Sequence, residues 1–232
     1  IGASGGIGRA FVDLLAGDAG VRQVHAMCRE PGEWEQQNVV AHRLDFLDEE
    51  SIETAAAAAG EAPLDLVIVA TGILHRGDQV QPEKAMREIK ADSLAEVLAV
   101  NSIGPSLVAK HFLPKLRRDR KAVFAALSAR VGSISDNRLG GWTAYRMSKA
   151  ALNMMIRTMA IEQARSAPDS VVVALHPGTV DTELSKPFTG RVPEAKLFTP
   201  GKSAASLLGV LDGLSSDQSG GLFAYDGTTI DY

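Results

Sequence analysis

Tyr145 and Lys149 stand four residues apart at the start of a segment with helical periodicity, so they share one helix face. A phenol with a pKa of about 10 is a poor acid or base at neutral pH. A cation held beside it stabilises the phenolate, and a tenfold gain in acidity corresponds to about 1.4 kcal/mol. A tyrosine tuned in this way can exchange a proton with an alcohol or carbonyl oxygen while a hydride moves on carbon. A surface tyrosine lying over a lysine stem has the same spacing, so the pair alone leaves both readings open.

A second group lies at the start of the chain, where Gly2, Gly6 and Gly8 form a Gly-x-x-x-Gly-x-Gly pattern. Such glycines let the backbone approach a pyrophosphate, and a helix beginning near Gly8 points its free N–H groups at the negative charge. The plainer alternative is a tight turn. Asn101 stands just before Gly104-Pro105 and reads either as a helix-kink partner or as a functional amide. His25, His42, His75, His111 and His176 show no metal-ligand spacing, and no metal is expected.

The elements around these residues alternate. Arg9 to Ala16 has helical spacing, Val21 to Cys28 and Val39 to Leu44 read as strands, and Asp48 to Ala59 is acidic at its start, as a helix N-terminus prefers. Leu64 to Ala70 is a nearly continuous apolar run of the kind buried on both faces of a parallel sheet. A long helical stretch is expected from about 83 to 116 with a break near Gly104-Pro105, then a strand from Ala122 to Leu127 and an amphipathic helix from Thr143 to Arg165. Ser170 to Leu175 is a strand stopped by Pro177-Gly178; a helix from Lys202 to Leu214 and a strand from Leu222 to Tyr225 follow. This order predicts an α/β fold: a Rossmann-type, doubly wound parallel sheet in three αβα layers, in one domain over 1–232. The glycine turn at Ile1 has no strand in front of it, so a first strand is expected to precede Ile1 and to be missing or truncated here.

Composition sets outer limits. The 232 residues are 45% apolar and 22% charged, as in an ordinary soluble globular protein. Net charge -4 argues against a nucleic-acid partner or an anionic membrane surface. No apolar run approaches the ~20 residues that span a bilayer, no secretory signal is visible, and the single Cys28 excludes an internal disulfide. A cytoplasmic location is the expectation.

The glycine loop, Tyr145-x-x-x-Lys149, and Pro177-Gly178-Thr179-Val180-Asp181-Thr182 occur in this order and at suitable distances. Together they resemble the short-chain dehydrogenase/reductase superfamily over the whole chain. Residues 132–142, from Gly132 to Trp142, look more particularly like its C-factor-like subgroup, named for a cell–cell signalling relative. The resemblance implies an oxidoreductase that moves a hydride between a nicotinamide cofactor and a carbonyl or alcohol. Tyr145 would be the proton donor and acceptor; Lys149 would bond the nicotinamide ribose and lower the tyrosine's pKa; Asn101 would support a proton-relay water. Gly2, Ser4, Gly6, Ile7, Gly8 and Gly72 would hold the cofactor, with Asp45 at its adenine and Pro177, Gly178, Val180 and Thr182 over its nicotinamide.

Two departures stand out. Ala70-Thr71-Gly72 replaces the family's Asn-Ala-Gly, and Ser128-Ala129-Arg130-Val131-Gly132 replaces Ser-Ser-x-x-Gly, putting alanine where the second serine polarises the substrate oxygen. Losing such a donor costs about 2.7–4 kcal/mol, so a substitute is expected. Ser128 is the nearest hydroxyl, but successive strand residues face opposite sides, and a local twist would be needed; Ser133 is the backup. Cofactor choice turns on Met27-Cys28-Arg29, where no acid precedes Glu30. Arg29, helped by Arg9, favours NADP(H) over NAD(H), unless it is only a solvated turn residue.

Two loops are expected to shape the substrate site, 132–142 and 183–198, with Phe188, Val192, Leu197 and Phe198 as apolar contacts and Lys186 and Arg191 for an anion. The helices at about 88–116 and 143–165 would, by resemblance, form the contact of a homodimer or homotetramer. The alternative function is a dinucleotide-binding signalling or regulatory protein with little turnover, which the altered serine pair keeps open and the Tyr145–Lys149 pair opposes.

Overall fold

The computed structural model describes residues 1–191, 193 and 196–232, with the backbone alone at 189 and 191. Alternation along the strands decides the architecture. In β4 (Ala122–Leu127), Val123, Ala125 and Leu127 face one side, while Ala122, Phe124 and Ala126 face the other. Both sets are buried, so the strand needs a layer of helices on each face. On the first side lie α1 (Gly6–Ala16) and α6 (Pro200–Gly213), which bring Phe11, Leu207 and Leu211. The opposite side is covered by α2 (Glu49–Ala58), α4 (Gly104–Phe112) and α5 (Thr143–Gln163), through Ile52, Phe112, Leu152 and Ile156.

The strands are parallel. β3 (Leu66–Val69), β4, β5 (Ser170–His176) and β8 (Leu222–Ala224) form one run in that order, and β1 (Val24–Cys28) pairs with β2 (Val39–Arg43) in register Val24 to Val39. Ile1 and Gly2 join the two parts. Ala70 N–H donates to Ile1 O at 2.8 Å, and Gly2 N–H donates to Met27 O at 2.8 Å. Below this bridge a cleft of about 920 Å³ separates β1 from β3, with Val24, Met27, Val67 and Ile68 among its walls. β6 (Thr179–Val180) and β7 (Leu197–Phe198) form a separate parallel pair at the carboxyl ends of the main strands.

The expected helix over 83–116 is divided. A 3₁₀ turn at Met86–Glu88 precedes α3 (Ala91–Leu98), and the irregularity falls one turn before Gly104-Pro105, as a π-helical turn over Ala99–Ile103. Gly104 N–H reaches back five residues to Ala99 O. Pro105 has no N–H, so the carbonyl of Asn101 loses its ordinary helical partner. No described helix is long and apolar enough to cross a membrane.

Candidate active site

The first two turns of α5 present Tyr145 and Lys149 on one buried face, and the lysine Nζ lies over the tyrosine ring, 5.7 Å from its centroid. Lys149 Nζ donates to Leu127 O at the end of β4 at 2.8 Å. Burial pushes the Tyr145 phenol up to about 12 and brings Lys149 down to about 7. Desolvation therefore outweighs the downward pull of the ammonium on the phenol that the spacing suggests. Gly72 packs against this pair: a Cβ there would lie 3.5 Å from Lys149 Nζ and 3.3 Å from Asn101 Oδ1.

Asn101 uses its whole amide. It accepts from Ile73 N–H at 2.8 Å, and its Nδ2 donates to Ile73 O at 2.8 Å and to Ser148 Oγ at 3.0 Å. It thereby ties the loop after β3 to α5, one residue before Lys149. Gly132 locks the other side of the lysine. A Cβ at Gly132 would sit 2.8 Å from Lys149 Cβ, so only glycine lets the turn Arg130–Gly132 press onto α5.

The serine question has a definite geometric answer. Ser128 continues the β4 alternation onto the α5 side, and its hydroxyl donates to Asn153 Oδ1 at 2.7 Å, both residues being buried. No local twist turns it away. Ser133 is also engaged: its Oγ accepts from Asp136 N–H at 3.1 Å and lies 3.3 Å from Ser135 Oγ. Asn153 is a residue the sequence reading passes over. Its spacing, four beyond Lys149 on the same face, is the signal that could have found it.

The glycine loop is built for close approach. Gly2 has φ +86, and a Cβ at Gly8 would fall 2.0 Å from Gly2 O, so the helix start sits directly on the loop. A Cβ at Gly6 would meet Thr182 Cγ2 at 2.9 Å, which brings the loop after β5 against Gly6. Gly178 has φ +79 beneath Phe198 and Tyr225; Pro177 O accepts from Ser203 Oγ at 2.8 Å; buried Val180 pairs with Phe198. Asp45 shapes the turn after β2 by accepting from Leu47 N–H at 3.1 Å. Two buried polar atoms near these strand ends, Thr71 Oγ1 and His176 Nδ1, have no hydrogen-bond partner among the described residues. Burial brings His176 down to about 4, with Arg130 pushing the same way and Asp226 opposing.

Aromatic side chains wall the site. Trp142 precedes α5 in the left-handed region, φ 51 and ψ 42, which is uncommon for a residue other than glycine. Its ring meets Tyr145 edge-on at 6.3 Å and Phe188 at 5.3 Å. His75 reaches the same segment, 5.8 Å from Phe188, with its Nε2 3.1 Å from Glu183 O. The two expected substrate loops thus meet beside Tyr145. Val192 and the side chain of Arg191 lie outside the described residues, and Lys186 pairs with Glu183 at 3.1 Å. Buried Glu83, also absent from the sequence reading, holds this corner: its carbonyl accepts from Trp142 N–H at 2.6 Å and its Oε2 from Ala144 N–H at 3.2 Å.

Arg29 is exposed and is not among the residues lining the pocket that opens beside Cys28. That pocket holds Arg9 instead. Among the described residues no cluster of three or more His, Cys, Asp or Glu could hold a metal ion.

Known proteins share this fold. The family model for short chain dehydrogenase matches residues 1–191. The C-signal protein of Myxococcus xanthus is 37% identical over 147 residues, 63% of this chain and 82% of that protein. A 1-hydroxy-2-glutathionyl-2-methyl-3-butene dehydrogenase of Rhodococcus sp. is 31% identical over 191 residues, 82% of this chain and 78% of that one. The crystal structure of an NADPH-bound carbonyl reductase from chicken fatty liver superposes with a TM-score of 0.85 at 30% identity, covering 100% of this chain and 96% of that one. The chain belongs to the short chain dehydrogenase family.

Proposed function

We propose that this protein is an NADP(H)-dependent oxidoreductase acting on a carbonyl or alcohol, with Tyr145 as proton donor and acceptor. One observation carries the reading: Tyr145 and Lys149 are buried together on α5, the lysine over the tyrosine ring, at the strand ends where the glycine loop meets Thr182. The residues fit a dinucleotide. The close glycine approach, the α1 N-terminus and the unpartnered Thr71 hydroxyl form a cradle with donors to spare. A nicotinamide bound there supplies or accepts the hydride. Tyr145 passes a proton to or from the substrate oxygen, and Lys149, in its ammonium form, would balance the phenolate and bond the cofactor ribose. The Asn101 carbonyl, released by Pro105, is the acceptor for a relay water. Trp142, Phe188 and His75 exclude water and orient an apolar substrate body.

The NADPH bound by the similar carbonyl reductase supports the choice of NADP(H). A cytoplasmic location and one functional unit over the whole chain complete the reading. Exposed Ile103, Met147, Met154 and Ile161 support a homodimer or homotetramer: the last three recur every seventh residue on α5, a stripe with the spacing of a helix-packing seam.

The test is NADPH binding and oxidation against a panel of carbonyl compounds, with wild type and Tyr145→Phe. General acid–base catalysis contributes roughly 10²–10⁴-fold, so Tyr145→Phe should keep NADPH affinity and lose at least that lower factor in turnover. Tight binding with no turnover that depends on Tyr145 would overturn the enzyme reading. It would favour the signalling alternative, which the missing second serine and the likeness to C-signal support.

A further inference from the structure

Arg146 follows Tyr145 on α5, half-buried, and each of its three guanidinium nitrogens meets a backbone carbonyl. Nε donates to Gly141 O at 3.0 Å, Nη1 to Val131 O at 3.3 Å and Nη2 to Gly140 O at 3.3 Å. These carbonyls stand at the two ends of the loop 132–142. Val131 lies in the turn whose Gly132 presses on Lys149, and Gly140 and Gly141 lead into Trp142. One planar side chain therefore ties both ends of the loop to the helix that carries Tyr145. A guanidinium suits this task because its donors sit in a rigid fork, whereas an ammonium gathers its donors on one atom.

The far end of the loop needs such a clamp. Gly140, Gly141 and Trp142 have φ of 63, 67 and 51, three consecutive residues in the left-handed region. Glycine adopts it freely, but a residue with a Cβ holds it only where the surroundings fix it. Arg146 grips the two carbonyls before Trp142, and Glu83 O accepts the Trp142 N–H at 2.6 Å. Residues 134–140 are exposed, Leu139 at 91% and Ile134 at 77%, so packing does little to hold the loop between its ends. We infer that Arg146 is a positioning residue of the substrate site. Through this clamp it keeps the Trp142 ring 6.3 Å from Tyr145 and 5.3 Å from Phe188, and so sets which substrate bodies the site accepts. This inference rests on the oxidoreductase reading above and adds the residue that shapes its substrate wall.

The test separates the clamp from the chemistry. Kinetics with the benzaldehydes and the short aliphatic aldehydes of the carbonyl panel, NADPH dissociation constants and melting curves are measured for wild type, Arg146→Ala, Arg146→Lys and Arg138→Ala. Trp142 emission is read in a Trp34→Phe background, which leaves a single tryptophan. A hydrogen bond from a charged donor corresponds to about 10–100-fold in an equilibrium constant, and a raised KM at constant kcat marks lost binding rather than lost chemistry. Arg146→Ala should raise KM for the benzaldehydes at least about tenfold and shift Trp142 emission to the red. The kcat, the KM for the aliphatic aldehydes and NADPH affinity should each change less than about threefold. Arg146→Lys should show part of both effects, and it carries the test if Arg146→Ala melts below the assay temperature. Arg138→Ala removes an exposed charge from the same loop and should behave as wild type. The proposal is overturned if the folded Arg146 variants keep wild-type KM and emission, if they lower kcat equally for both classes of aldehyde, or if Arg138→Ala matches them. If no carbonyl compound is turned over through Tyr145, the oxidoreductase reading falls by itself, and Trp142 emission still decides whether Arg146 holds the loop.

Discussion

Ser128 donates its hydroxyl proton to Asn153 Oδ1 across 2.7 Å inside the protein, and Asn153 Nδ2 in turn donates to Gly132 O at 3.3 Å. The serine thus joins the end of β4 to α5 and to the turn that presses on Lys149. In this arrangement the one proton of the Ser128 hydroxyl is given to Asn153, so we propose that the serine serves position rather than the substrate oxygen. Ser128→Ala leaves the buried amide oxygen of Asn153 unsatisfied, and should cost about 1–3 kcal/mol of stability while changing turnover on the best carbonyl substrate less than about threefold. Ala129→Ser restores a hydroxyl at the neighbouring position and should raise kcat, by up to the roughly 10²-fold that one oxygen-polarising donor contributes. Steady-state kinetics with paired melting curves decide it. Loss of turnover in a stably folded Ser128→Ala would return the oxygen-polarising role to Ser128.

The glycine loop and the loop after β5 meet at Gly6 and Thr182, which gives a two-residue test of their contact. A Cβ at Gly6 would lie 2.9 Å from Thr182 Cγ2, a methyl group that can be removed. Gly6→Ala should therefore weaken NADPH binding, and Gly6→Ala with Thr182→Ser should recover much of the loss, a coupling read by a double-mutant cycle. Gly8→Ala should find no such rescue, because its Cβ would fall 2.0 Å from the Gly2 carbonyl oxygen, which is backbone. Equal, additive losses in the double variant would show that the two loops do not meet in solution.

Much of this fold was legible because periodicity is a local signal. Strands such as β4 and β5 are apolar on both faces, and their runs in the sequence carry that information without reference to any neighbour. Tyr145 and Lys149 were legible for the same reason, since a spacing of four on a helix is contact. The rest depends on distance in sequence. Glu83 reaches Ala144, 61 residues away, and no local pattern announces it. Trp34 covers Arg9 from a loop, and Ser128 finds Asn153 only once β4 and α5 are packed. The π turn over Ala99–Ile103 was signalled by Pro105, but which turn would widen depends on how α4 packs beside Phe46 at Gly104.

Glu83 caps a helix from outside it. α5 begins at Thr143 after a left-handed Trp142 that provides no side-chain cap, and the Glu83 carboxylate takes the Ala144 N–H instead. A cap of this kind is worth about 0.5–2 kcal/mol, and a carboxylate there also favours the helix dipole. Glu83→Gln keeps an acceptor oxygen and should lose little stability; Glu83→Ala should lose about 1–2 kcal/mol and raise KM more than it lowers kcat, because Trp142 and Phe188 shift before Tyr145 does. Equal melting temperatures for Glu83→Ala and wild type would remove Glu83 from this role.

His176 makes stability depend on pH in a predictable direction. Its burial, aided by Arg130, brings its pKa down to about 4 from an ordinary 6.5. In the unfolded chain the imidazole takes a proton below about 6.5, whereas the folded protein refuses it until about 4. Between these values the unfolded state binds more protons, so stability is full above 6.5 and is lost as pH falls through the window. Since a tenfold change in proton affinity is worth about 1.4 kcal/mol, the loss attributable to this side chain should approach about 2–3 kcal/mol near pH 4. Carboxylates titrate in the same range, so the measurement is a difference: unfolding free energies of wild type and His176→Phe across pH 4 to 8. The phenylalanine retains a ring to face Tyr225, 6.4 Å away in the native pair, and carries no proton. The wild-type curve should fall more steeply than the variant's below pH 6.5. A flat difference would mean that His176 takes up its proton at the same pH in the folded and unfolded states, so that its burial does not shift it.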